Sequence, residues 1–236
     1  MEVYRLHFQP LQPTGIIGIT LNQDWAEPYN PQSEENIRAS QTRVDFQLGW
    51  FADPIFLGDY PESMIELVGD RLPRFTEAEK SRLYGSADFL GLNHYSTKYY
   101  FHKVAGEDSQ SSQYPPHFNM TETLHGMRFG GWDADQKNFE SKYKPNGELI
   151  GPQADSVWLN MVPWGFYKLL KWVDSRYSKS NLYTSGGVGA KKSKEFIVYI
   201  TENGCDAPGE SQKPLVEALN DTFRLEFVLI SIYVYM

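Results

Sequence analysis

The sequence predicts an α/β fold in which crossover helices join parallel strands, and two kinds of observation support this. Largely apolar runs occur at residues 16–22, 87–92 and 197–200, and the first and third of them are rich in β-branched residues. Short runs of this kind, bounded by turn signals, are typical of strands buried on both faces. Segments with helical periodicity lie between the runs. Strand and helix in alternation indicate a parallel sheet.

The first run ends at Asn22, and a loop rich in Pro and Asn follows it. Ser33 has the side chain of a good N-cap, so a helix is predicted from this point. Its apolar face is predicted from residues that recur with helical spacing, namely Ile37, Val44, Leu48 and Phe51. The sequence Gly-Asp-Tyr-Pro at 58–61 breaks this segment.

The second run is preceded by a short predicted helix. Thr76 and Glu79 have the spacing of a capping box, in which each side chain bonds to a backbone N–H of the other. Gly85 is predicted to end this helix. The run at 87–92 then leads into Asn93, His94 and Tyr95. Because side chains alternate along a strand, His94 would point away from its two neighbours, and we interpret it as structural.

The third run is preceded by a strongly amphipathic helix. Pro163 suits the first turn of a helix. The apolar positions that follow it have helical spacing: Phe166, Leu169, Leu170, Val173 and Tyr177.

Two other regions lack apolar periodicity. Residues 101–153 are mostly polar, with scattered Gly and Pro, and predict a long loop region. Such loops after barrel strands build substrate clefts, and partial disorder is the alternative. Residues 178–194 are rich in Ser, Gly and Lys and predict a flexible surface insertion. They do not form a phosphate-binding loop, because the Gly-Lys-Ser/Thr ending is absent and a helix, not a strand, precedes them.

Composition excludes several classes of function. The net charge of −8 over 236 residues argues against binding to nucleic acid. The apolar C-terminal run is shorter than the roughly 20 residues that span a bilayer, so no membrane interaction is predicted. Cys205 is the single cysteine, and the histidines lack partners at metal spacing, so neither a disulfide nor a metal site is expected. The first 13 residues do not resemble a secretory signal, which favours a cytoplasmic location unless residues are missing there.

The strongest functional signal lies at the end of the third run. Residues 197–200 lead directly into Thr201, Glu202 and an Asn-Gly pair that ends the strand. Glu202 is therefore predicted at the carboxyl end of a buried parallel strand. Barrels and open α/β sheets carry their catalytic groups at this end. The alternative is an ordinary solvated carboxylate.

Several motifs together resemble glycoside hydrolase family 1, the β-glucosidase and β-galactosidase family. They are Gln-Leu-Gly-Trp-Phe-Ala-Asp-Pro-Ile at 47–55, Gly-Asp-Tyr-Pro at 58–61, Phe-Leu-Gly-Leu-Asn-His-Tyr at 89–95 and Thr-Glu-Asn-Gly at 201–204. The resemblance covers roughly residues 15–227. It implies that residues 1–236 form a single partial domain of a (β/α)8 TIM barrel, with about strands five to seven, truncated at both ends.

The same resemblance implies roles for four residues. Glu202 matches the nucleophile of a retaining β-glycosidase, and Tyr95 matches the tyrosine whose hydroxyl orients it. Asn93 matches a polar neighbour in the substrate site. Trp158 matches the platform for the leaving group, the aglycone; a buried core residue is its alternative. The expected partner is a small-molecule β-glycoside, with no cofactor; the sugar, the aglycone and the oligomeric state cannot be predicted.

One departure from the family pattern is important. The family's acid/base glutamate lies in a Thr-Phe/Leu-Asn-Glu-Pro motif, and this sequence contains no Asn-Glu pair. Other sugar-binding motifs of the family are also missing. We therefore expect that the parent enzyme hydrolyses β-glycosides and that this chain alone is inactive. The alternatives are a non-catalytic sugar-binding relative and a gene-model fragment without function.

Overall fold

A computed structural model describes residues 1–102, 132–144, 146–180 and 195–233. Most of the predicted insertion and the part of the predicted long loop from 103 to 131 lie outside these residues. The described chain forms two compact units. The first contains Met1–Gln23, Gln47–Asn93 and Leu170–Glu202, and the second contains Asp24–Phe46, His94–Leu169 and Asn203–Met236.

The regular elements are numbered here along the chain. The strands are β1 (Gly18–Asn22), β2 (Trp25–Pro28), β3 (Phe89–His94), β4 (Thr97–His102), β5 (Asn138–Ser141) and β6 (Ile197–Asn203). The helices are α1 (Glu34–Val44), α2 (Trp50–Phe56), α3 (Glu62–Val68), α4 (Glu77–Leu83), α5 (Trp132–Asp135), α6 (Pro163–Val173), α7 (Leu215–Leu219) and α8 (Thr222–Tyr233). Wider π-helical turns occur at Tyr4–Phe8, Asp45–Gly49 and Asp174–Ser178, and 3₁₀ turns at Gly69–Arg71 and Glu210–Gln212.

The first unit contains the three strands that the apolar runs predict. Their order is β1-β3-β6, and β1 pairs with β3 in parallel. The ring of Tyr199 packs edge-on against Phe89, and further along both strands Thr201 hydrogen-bonds to Asn93. Later residues of β6 therefore contact later residues of β3, as they do in a parallel pair. The α/β prediction is confirmed by this sheet.

Gly91 allows these strands to pack closely. A Cβ atom at this position would lie 2.4 Å from Oγ1 of Thr20 and 3.1 Å from Cγ2 of Thr201. A larger residue would therefore push one of the neighbouring strands away.

The burial of β6 differs from the prediction. The strand was predicted to be buried on both faces, but Tyr199 is 47% exposed and Ile200 is 41% exposed. Glu202 is also exposed. The reason is position, because β6 lies at the end of the described sheet and has a neighbouring strand on one side only.

The second unit contains a sheet that the sequence did not predict. Its order is β2-β4-β5, with β2 parallel to β4 and β5 antiparallel to β4. Tyr29, Phe101 and Phe139 form a buried cluster on this sheet. Helix α5 and strand β5 both fall within the 101–153 region, so the described part of that region contains regular structure.

The predicted helix starts agree with the structure. Ser33 accepts a hydrogen bond from the N–H of Asn36 at the start of α1. Thr76 and Glu79 form the complete capping box of α4. Pro163 is the first residue of α6.

The predicted face of the first helix is correct only in part. Val44 and Leu48 are buried, whereas Ile37 and Phe51 are 46% and 48% exposed. The π-helical turn at Asp45–Gly49 changes the period, so Phe51 no longer follows the spacing on which the prediction relied. In the described part of the chain, no helix has the length and apolar character needed to cross a membrane.

Candidate active site

The three strands of the first unit each contribute one polar side chain to a hydrogen-bonded row. Asn22 and Asn93 lie opposite each other in the β1–β3 pair. Nδ2 of Asn93 donates to Oδ1 of Asn22 at 2.7 Å, and the hydroxyl of Thr201 donates to Oδ1 of Asn93 at 2.6 Å. The amide of Asn93 thus bridges both neighbouring strands.

This row fixes the residue immediately before Glu202. Asn93 is only 7% exposed, whereas its partners Asn22 and Thr201 are exposed, so the buried amide anchors two side chains at the surface. Glu202 is the next residue after Thr201 on β6, and it is exposed to solvent. The first unit therefore brings Asn93 together with the strand end that carries Glu202.

Tyr95 lies in the second unit, at the turn between β3 and β4. Oδ1 of Asp24 accepts hydrogen bonds from the N–H groups of Tyr95 and Ser96, at 3.0 and 2.8 Å. Burial raises the pKa of Asp24, and the two backbone hydrogen bonds act in the opposite direction by stabilising its charged form. Asp24 therefore holds the backbone on which Tyr95 is carried.

Trp158 also lies in the second unit and contacts Tyr95. The two ring centroids are 6.1 Å apart with an interplanar angle of 76°, an edge-to-face arrangement. Trp158 is 50% exposed, so it is not a core residue. The backbone close to it is anchored by Ser96, whose hydroxyl donates to the carbonyl oxygen of Asn160 and accepts from its N–H.

His94 is separate from these polar residues. Its ring is fully buried and stacks on Phe166, with centroids 4.5 Å apart. Burial lowers the pKa of His94 to about 3, so the ring is neutral at physiological pH. The interpretation of His94 as structural agrees with this environment.

Sequence reasoning missed several residues that support the site. Asp24 and Ser96 hold Tyr95 and the Trp158 backbone, but neither belongs to a recognisable local pattern. Asp24 and its partner Tyr95 are 71 positions apart. Only Asn22 gave a usable signal, since it ends an apolar run just as Asn93 does.

Comparison with known proteins defines the family. The chain belongs to glycosyl hydrolase family 1, whose model matches residues 2–234. The resemblance inferred from the sequence motifs is confirmed.

Two curated relatives illustrate the similarity. Beta-glucosidase 4 of Oryza sativa subsp. japonica is 34% identical over 227 residues, covering 96% of this chain and 39% of the relative. Beta-glucosidase 1B of Phanerodontia chrysosporium is 37% identical over 228 residues, covering 96% of this chain and 34% of the relative. The chain thus spans well under half of the length of these relatives.

Comparison with solved structures supports the same family assignment. The β-glucosidase of Trichoderma harzianum superimposes with a TM-score of 0.76 at 32% identity, covering 99% of this chain and 41% of that one. The family 1 β-glucosidase of Humicola insolens in complex with glucose gives the same TM-score and coverage at 34% identity. The fold is therefore part of the TIM barrel of this family, as the motifs implied.

Proposed function

We propose that this chain is part of a retaining β-glycosidase and that it supplies the nucleophile, Glu202. The reaction is the hydrolysis of O-glycosidic bonds in β-glucosides or related β-glycosides. The observation that carries the proposal is the row from Asn22 through Asn93 to Thr201, because it fixes the strand end immediately before Glu202. The relatives named as β-glucosidases support the substrate class.

In the proposed reaction, the Glu202 carboxylate attacks the anomeric carbon and the bond to the aglycone oxygen breaks. A second carboxylic acid, about 5–5.5 Å away in retaining enzymes, protonates the leaving oxygen. The same group then removes a proton from water, which hydrolyses the glycosyl-enzyme. Tyr95 supplies a hydroxyl that keeps the nucleophile oriented, and Trp158 packs against the aglycone.

The second carboxylic acid has no matching motif in this sequence. General acid catalysis contributes typically 10²–10⁴-fold to the rate. A TIM barrel also needs eight strands to close, and only three strands of such a barrel are predicted here. We therefore propose that the chain by itself does not turn over glycosides, and that activity requires the remaining strands.

The test uses a chimera in which residues 2–234 replace the matching segment of a complete family enzyme. Incubation with a 2-deoxy-2-fluoro glucoside and peptide mapping should place the covalent label on Glu202. The Glu202→Gln chimera is the matched control and should remain unlabelled. The 236-residue chain alone, assayed with aryl β-glucosides and β-galactosides, should show no turnover above buffer. A label on another carboxylate, or turnover by the chain alone that depends on Glu202, would contradict the proposal.

A further inference from the structure

The segment that follows Glu202 is tied to the segment that carries Trp158. We name residues 152–161 the Trp158 loop. We propose that Asp206 is a positioning residue that holds the Trp158 loop in the orientation needed for the aglycone. This inference rests on the proposed function, in which Trp158 forms the aglycone platform.

Two reciprocal contacts join the segments. Oδ2 of Asp206 accepts hydrogen bonds from the N–H and the hydroxyl of Ser156, at 2.7 and 2.6 Å. In the opposite sense, Oδ1 of Asp155 accepts from the N–H of Gly209 at 3.0 Å. Consecutive residues of the loop thus contact residues 206 and 209. Carboxylate hydrogen bonds of this kind are among the stronger ones in proteins.

The loop is also braced from within. Nε2 of Gln153 donates to the carbonyl oxygens of Ser156 and Leu159, at 2.7 and 2.8 Å. Nζ of Lys142 donates to Oε1 of Gln153 and to the carbonyl oxygen of Val157, both at 3.0 Å. These contacts make the loop stiff. A displacement of Ser156 therefore also displaces Trp158, which lies two residues further along the chain.

Residues 203–206, which link the end of β6 to the Trp158 loop, are also fixed at their first residue. Nδ2 of Asn203 donates to the carbonyl oxygen of His94 at 2.9 Å. Residues 203–206 are therefore anchored at their first residue on the end of β3 and at their last residue on the Trp158 loop. The hydroxyl of Ser156 is the main cause of a lowered pKa at Asp206, which keeps this carboxyl ionised at neutral pH.

The role of Asp206 is therefore to fix the position of Trp158, and not to stabilise the buried core. Trp158 is half exposed and meets Tyr95 only edge-on, so its ring depends on its loop for a fixed position. Small displacements of groups that position a substrate lower reaction rates strongly. Loss of the Asp206 contacts should therefore move Trp158 while leaving the buried core unchanged.

The first part of the test measures the position of Trp158 directly. The full chain is labelled with 5-fluorotryptophan, and the Trp158 resonance among the six is assigned by Trp158→Phe. In Asp206→Ala this resonance should shift and broaden while the other five stay in place. Asp206→Asn, which keeps the shape and one acceptor oxygen, should give a smaller change. Glu217→Ala removes an exposed carboxylate from α7 and is the matched control.

The second part measures ligand binding in the Glu202→Gln chimera described above, which has a complete barrel and does not hydrolyse the ligand. It is titrated with 4-nitrophenyl β-D-glucoside while the Trp158 resonance is followed, with and without Asp206→Ala. Asp206→Ala should weaken the apparent affinity roughly tenfold, the effect expected when the loop keeps its binding orientation only about a tenth of the time. An unchanged Trp158 resonance in Asp206→Ala would overturn the positioning role. If the Trp158 resonance shifts in Asp206→Ala, but in the chimera with native Asp206 it does not respond to the glucoside, positioning stands and the role of Trp158 in the proposed function fails.

Discussion

Strands β3 and β6 lie side by side in one sheet, yet their environments differ sharply. Both come from continuous apolar runs, and both end in residues of the candidate site. Leu90 and Leu92 of β3 are completely buried, whereas Tyr199 and Ile200 of β6 are nearly half exposed. The cause is the order β1-β3-β6, which places β3 between two strands and β6 at the end. An apolar run therefore predicts a strand, and the neighbours of the strand determine its burial.

The same difference in burial gives β3 and β6 different roles in the candidate site. Asn93 is buried in β3 and reaches both neighbouring strands, so it acts as the fixed point of the row. Glu202 is exposed on β6 and depends on that row for the position of its backbone. The buried strand supplies rigidity, and the exposed strand presents the carboxylate that we propose as the nucleophile.

The largest expected effect contrasts a leucine of β3 with an isoleucine of β6. Leu92→Ala should lower the free energy of unfolding by about 2–5 kcal/mol, because it leaves a cavity in the core. Ile200→Ala should cost about 1 kcal/mol or less, because much of this side chain is already in water. Urea denaturation of both variants measures the difference. Equal losses in the two variants would show that β6 is buried in solution and would remove the contrast.

The next prediction uses the titration of His94, the last residue of β3. Burial lowers its pKa to about 3, whereas an unfolded histidine has a pKa of about 6.5. Between these values the unfolded chain binds a proton that the folded chain does not. The contribution of neutral His94 is therefore complete above pH 6.5 and is lost as the pH falls, by up to about 1.4 kcal/mol per pH unit.

The control replaces the titrating group. Denaturation midpoints between pH 7.5 and 5 should decrease with falling pH in the wild type, and the slope should be shallower in His94→Gln. This range avoids the titration of most carboxylates. If both chains lose stability with the same slope, the His94 ring is protonated or solvated in the folded state, and the end of β3 is less buried than described.

The sequence predicted the three strands of the β1-β3-β6 sheet and three helix starts well, because these depend on neighbouring residues. Thr76 and Glu79 of the capping box are three positions apart, and the apolar runs are four to seven residues long. It predicted burial poorly where distant partners decide it. Neither the exposure of Ile200 nor the β2-β4-β5 sheet can be derived from a local pattern, since each depends on strands far apart in the chain.

The candidate site shows the same limit. The roles of Glu202, Tyr95, Asn93 and Trp158 came from matching motifs, and they remain predictions. The residues that hold them came only from the structure: Asp24 is 71 positions from Tyr95, and Asp206 is 50 positions from Ser156. Carboxylates of this kind look like any surface acid in the sequence, because their partners are distant.

The prediction with the smallest expected change in stability concerns the edge of β6 that has no neighbouring strand in the described sheet. Within the described residues β6 has a neighbouring strand on one side only, and Tyr199 and Ile200 leave apolar side chains accessible to other chains. Ile200→Lys should reduce concentration-dependent association, measured by size-exclusion chromatography with light scattering. It should change the free energy of unfolding by no more than about 0.5 kcal/mol. Leu219→Lys makes the same kind of substitution on α7, where Leu219 is 74% exposed, and serves as the matched control. Equal reduction by both variants would assign the effect to added charge rather than to the edge of β6.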